Sequence, residues 1–190
     1  GKIVPIIGGL RLTGKSNGWQ LGALNMQTQG IVGEGINPEN FSVVHLHKDI
    51  LGNGSYYSAF FSNRRTTSDQ GLNNQTYGAD CLYRPNEKWT WAFNIAATKD
   101  NDRAKFFDKN IVYNVAVFKT VTFGYSNFIT YTYAGKNFTP KSGFYADNGF
   151  NMLYAVHSYT IKMKQKEFNY VDISTDSYIK WNTRNTNGIE

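Results

Sequence analysis

One cysteine, Cys81, stands in a chain of 190 residues, so no intrachain disulfide can staple the fold. It sits in YGADCLYR, where alternation reads it as a small apolar strand residue rather than a reactive thiol. No run approaches the eighteen or so apolar residues of a membrane helix, and mean hydropathy is −0.47. That excludes a helical membrane protein and leaves open a barrel, whose strands carry only half an apolar pattern. The net charge of +6 invites a nucleic-acid partner, yet lysine and arginine are scattered and only Arg64 and Arg65 adjoin. Without a basic run there is no electrostatic footprint for nucleic acid. No charged segment followed by an apolar one opens the chain, so no signal peptide is expected and a fragment or mature chain is.

What is present is strand chemistry. Aromatic residues make up 16% of the chain, with 13 Tyr and 13 Phe against 4 Pro. In KWTWAFNIAATK, Trp89, Trp91, Phe93, Ile95 and Ala97 share one face, with Thr90, Ala92, Asn94, Ala96 and Thr98 on the other. TYGADCLYR sets Tyr77, Ala79, Cys81 and Tyr83 against Gly78, Asp80, Leu82 and Arg84. TFGYSNFITYTY sets Phe123, Tyr125, Ile129, Tyr131 and Tyr133 against Gly124, Ser126, Phe128, Thr130 and Thr132. Period two excludes helix in each.

Extended along the chain, the pattern predicts about ten strands, at 3–14, 19–29, 41–50, 55–66, 76–85, 88–99, 106–119, 121–134, 149–164 and 167–181. Short connections at 15–18, 51–54, 85–88, 120 and 165–167 alternate with long polar ones at 30–40, 67–75, 99–105 and 135–149. Tight turns at one end and long loops at the other is the layout of an outer-membrane barrel. The faces agree: opposite the aromatic residues stand mostly Gly, Ala, Ser, Thr and Asn, where a soluble sandwich would carry Lys and Glu. Trp19, Tyr77, Tyr83, Trp89 and Tyr133 near strand ends suit interfacial girdles.

The opening contains a decoy. Gly9, Gly14, Lys15 and Ser16 complete the nucleotide pattern G-x-x-x-x-G-K-[ST], after an apolar KIVPII. A phosphate cradle needs a helix to begin there, whereas Asn17-Gly18 is a type I′ hairpin signal and GWQLGALNMQTQ has no helical stripe. No later apolar strand ends in an Asp placed to hold magnesium. The reading is strand, turn, strand, with no nucleotide.

Four blocks follow in order: PIIGGLRLTGKSNGWQLGALNMQT, ENFSVVHLHKDILGNGSYYSAFFSNR, NQTYGADCLYRPNEKWTWAFNIAATK and NFTPKSGFYADNGF. In them the chain resembles an outer-membrane β-barrel domain of unknown function from Bacteroidetes-type Gram-negative bacteria. The chain departs at His45 and His47, where the family pattern R-x-x-R-D carries arginine while Asp49 agrees, and at Tyr145-Ala146, which replace valine-arginine. The resemblance implies an antiparallel up-and-down transmembrane β-barrel in the bacterial outer membrane. The family barrel is longer and usually follows a sandwich resembling carbohydrate-binding module family nine, so this chain is expected to be an internal piece, without the terminal aromatic strand. Partners implied are outer-membrane lipid, other outer-membrane proteins and glycans.

Other chemistry is sparse. His45, His47 and Asp49 share a strand face, but a metal site needs further ligands and His157 is the one histidine left, so a polar lumen face is the expectation. Asp80, Glu87, Asp100, Asp102 and Asp108 fall in turns, loops or isolated strand positions, which does not build a glycosidase pair. Asn53, Asn74 and Asn137 begin sequons that matter only in a eukaryotic secretory setting. The expectation is a non-enzymatic barrel wall without cofactor, serving solute passage or as a platform, with Asp80 and Arg84 as lumen-lining residues. The alternative is a soluble all-β carbohydrate-binding module using exposed Trp and Tyr.

Overall fold

A computed structural model describes residues 3–67, 71, 73–101, 109–142, 147–164 and 168–183. Asp102, Asp108, Tyr145-Ala146, the turn at 165–167 and the terminal RNTNGIE lie outside them. Ten strands are present: β1 (Ile6–Ser16), β2 (Trp19–Thr28), β3 (Glu39–Ile50), β4 (Ser55–Thr66), β5 (Asn73–Tyr83), β6 (Trp89–Asp100), β7 (Ile111–Lys119), β8 (Gly124–Ala134), β9 (Phe150–Lys162) and β10 (Tyr170–Asn182). Besides them there is one 3-10 turn at Val32–Glu34 among the described residues. Each strand pairs antiparallel with its neighbour in sequence, giving one up-and-down sheet in the order β1 to β10. The sheet does not close: β1 pairs with β2 alone and β10 with β9 alone.

The turns explain the register. Ser16 pairs with Trp19 across Asn17 (φ 49°) and Gly18 (φ 76°), the two left-handed residues that a two-residue turn of the right twist demands. The run Gly9 to Ser16 that imitates a phosphate loop is therefore strand β1. Between β3 and β4, Leu51, Gly52 and Gly54 all take positive φ.

Boundaries moved where side chains intervened. β8 starts at Gly124 rather than 121, because Ser126 Oγ accepts from the Val121 N–H (3.0 Å) and Gly124 turns at φ 96°. β5 starts at Asn73, earlier than predicted, and stops at Tyr83, because the Arg84 N–H is taken by Ser55 Oγ at 2.9 Å. β1 begins at Ile6, beyond which its register shifts, and it continues through Lys15 and Ser16. β7 begins at Ile111, although residues 106–108 of the predicted strand fall outside the described ones.

Register sorts the side chains as alternation predicts. Trp91, Phe93 and Ile95 of β6 pair with Tyr83, Cys81 and Ala79 on one side and with Val117, Val115 and Tyr113 on the other. Followed strand to strand, this large-residue face carries most of the exposed bulky side chains: Leu12, Leu21, Leu46, Tyr57, Tyr83, Trp91, Ile129, Leu153, Tyr159 and Ile179 among them. The opposite, small-residue face holds Ser58, Ser62, Thr76, Thr98, Ala116 and Thr130, all buried. Among the described residues no second layer packs on the large-residue face.

Candidate functional site: the small-residue face and its strap

A polar row crosses the small-residue face. Lys15, Gln20, His47, Ser58, Asp80, Asn94, Asn114 and Thr132 are successive cross-strand partners, one from each of β1 to β8. At about 4.8 Å per strand the row runs roughly 34 Å. Its members come from the polar phase of the alternation; only pairing brings residues so distant in sequence into line.

Most of the row is internally satisfied. Asp80 accepts from the Ser58 hydroxyl. Asn114 Nδ2 donates to Thr130 Oγ1 (2.6 Å) and Thr132 Oγ1 (2.8 Å). At the β3 end, Asp49 binds His47 Nε2 at 2.9 Å, accepts from Gln20 Nε2 at 3.4 Å and lies 3.9 Å from Lys15 Nζ. Tyr56 packs its ring against His47, centroids 4.6 Å apart. A cavity of about 270 Å³ opens beside Asp80, Asn94, Asn114 and Thr132, walled by Phe60. The Phe60 ring lies on Gly78, where a Cβ would come within 2.0 Å of it. This glycine lets the ring lie flat on the sheet.

The predicted lining pair separates. Asp80 stands in the middle of the polar row. Arg84 lies past the end of β5 in the short turn, its guanidinium beside Gly54 and its carbonyl accepting from Asn53 Nδ2 at 2.7 Å. His45, His47 and Asp49 do share one face, as their spacing predicts. His157 stands on the other face, six strands away, bound through Nδ1 to the Tyr125 hydroxyl at 2.6 Å. Among the described residues no three His, Cys, Asp or Glu side chains gather to hold a metal. Glu87 is in the β5–β6 turn, and Asp100 closes β6.

Sequence reasoning missed a second feature. After β8, residues 135–142 turn back across the small-residue face at the long-loop end. Gly135 N–H donates to Ile111 O and Asn137 N–H to Lys109 O, both at 2.8 Å. Farther on, the Thr139 N–H donates to Thr98 Oγ1 (3.2 Å) of β6 and the Lys141 N–H to Asn74 Oδ1 (2.8 Å) of β5. Asn74 Nδ2 donates back to Thr139 O (3.0 Å) and also to Asp100. Arg64 of β4 reaches Lys141 O at 2.9 Å while holding Glu39 at 2.8 Å. Phe138, within the segment, is buried, and Asn74 is wholly buried. The available signal was Phe138 itself, a phenylalanine in a polar loop between Gly135 and Pro140.

No known protein family, curated protein or solved structure matches this chain.

Proposed function

We propose that this sheet is part of the wall of an outer-membrane β-barrel, with the large-residue face against lipid and the small-residue face lining a lumen for solute passage. The arrangement of the large-residue face carries the reading. Trp19, Tyr57, Tyr83, Trp91, Tyr125 and Tyr159 lie toward its short-turn end, Tyr113, Tyr133 and Trp181 toward the other, with Leu46, Phe93, Val115, Ile129 and Leu153 between. Lys48 Nζ sits 5.1 Å from the Trp19 ring and Lys119 Nζ 5.4 Å from that of Tyr125. Aromatic rings with lysines folded over them suit a headgroup layer, where apolar bodies stay dry and ammonium tips stay wet.

Strand length supports the same reading. No strand is shorter than the nine residues of β7, and β9 and β10 reach thirteen. A tilted membrane-crossing strand needs about 9–11 residues, whereas soluble strands average about 5–6. So large an exposed apolar face in water would be an association surface. In lipid it is simply solvated.

Expressed in a Gram-negative host with a secretion signal, the protein is expected in the detergent-extracted outer membrane, with gel mobility that changes on heating. Recovery as a detergent-free monomer in the periplasm overturns the membrane reading in favour of a soluble binding module.

A further inference from the structure

We infer that residues 135–142 form a constriction across the lumen, held shut by Asn74 and floored by Phe138, and that this strap rather than the sheet sets the size of solute admitted. The inference rests on the reading of the small-residue face as a lumen lining. It adds the element that would narrow it.

Three observations carry it. The strap's anchors are side chains of the small-residue face: Thr98, Asn74 and Arg64 all belong to that face by register. The strap therefore runs over the lining, not outward into a surface loop.

Its path crosses strands. It opens with a turn, the Phe138 N–H donating to Gly135 O at 3.0 Å, and by Lys141 its backbone has reached Asn74 on β5, three strand spacings or roughly 14 Å from β8.

The anchoring is also more complete than a surface loop requires. Asn74 uses its amide oxygen on the Lys141 N–H and its amide nitrogen on Thr139 O, so one side chain closes a ring with the strap backbone. Asn74 itself is 0% exposed, and Phe138, next in the chain to Thr139, only 4%. Gly135 permits the entry: a Cβ there would stand 2.2 Å from Lys109 O. A connection that merely joined β8 to β9 would need none of this.

The test is single-channel recording, in planar bilayers, of the full-length barrel that contains this sheet, with size exclusion read from the block of conductance by graded polyethylene glycols. Hydrogen exchange at the amides of Asn137, Thr139 and Lys141 reports whether the strap is closed. Asn74→Ala and Phe138→Ala are the opening variants and Thr175→Ala, on β10, the control; heat-modifiable migration verifies that each is folded. The expected result is an exclusion limit and conductance that rise in both opening variants, together with lost amide protection, and stay unchanged in the control. Lost protection with an unchanged exclusion limit overturns the constriction while leaving passage intact. Amides unprotected in the unaltered protein overturn it also. If no form conducts, the passage reading falls and takes the constriction with it.

Discussion

The long-loop end of β5 and β6 and the edge strands β1 and β10 look alike in sequence and behave oppositely. Asn74, Thr76 and Thr98 are buried, at 0, 4 and 3% exposure, although none is hydrophobic. Every residue of β1 and β10 is exposed, including Leu10, Leu12, Ile173 and Ile179. Hydrophobicity therefore does not decide burial in this sheet. A strand paired on both sides and crossed by the strap shelters its polar side chains; a strand with one free edge shelters nothing. The polar residues can be buried because each finds partners: Asn74 has three, and Thr98 accepts from the strap.

Substitutions can break this contrast, and the largest effect belongs to the strap's entry. Gly135→Ala forces a methyl against the backbone of Lys109 and Ile111, and an overpacking cost of about 3 kcal/mol is expected. Gly14→Ala on β1 meets nothing within 4 Å and is expected to change stability by no more than about 0.5 kcal/mol. Urea unfolding midpoints in detergent measure both. Equal shifts would show that the two regions are equally constrained.

Next comes Asn74→Ala, which strands the Lys141 N–H without its partner and leaves Asp100 with the Thr139 hydroxyl at 3.4 Å. A loss of about 2 kcal/mol is expected, against about 0.5 kcal/mol or less for Thr175→Ala on exposed β10. The same unfolding curves read it. A loss at Asn74 no larger than at Thr175 would mean that the strap adds no stability.

The smallest contrast is electrostatic. Glu39→Gln removes the carboxylate that holds Arg64 at 2.8 Å, a pair 31% and 19% exposed, and a cost near 1 kcal/mol is expected. Lys15→Met removes a 3.9 Å pair with Asp49 in which both partners are open to solvent. No measurable change is expected there, and raising the salt concentration should weaken Glu39–Arg64 little. A strongly salt-dependent Glu39–Arg64 contribution would show that the strap does not shelter it.

Local chemistry made the strands legible. Period two in KWTWAFNIAATK and TYGADCLYR placed Trp91 and Cys81 on one face and Asn94 and Asp80 on the other, and the register agrees. Asn17-Gly18 announced the first hairpin, because so few residue pairs accept two left-handed conformations in succession. The place of Asp80 on the small-residue face could be named from its phase alone. Arg84 shares that phase on paper, yet β5 ends before it, because the Ser55 hydroxyl on the neighbouring strand captures its N–H. Phase holds only while the strand continues, and strand ends are set by partners that are distant in the chain.

From sequence alone came the number of strands, their up-and-down succession and the sorting of large from small residues. Each depends on contacts within a few residues or on the fixed two-residue period of extended backbone. The tertiary structure alone decided that eight polar residues would form one row, that both edges would stay unpaired, and that residues 135–142 would fold inward. Those outcomes depend on pairings such as Arg64 with Lys141, seventy-seven residues apart. A hydrogen bond between groups so far separated has no periodicity to announce it, and only the folded sheet brings its two ends within reach.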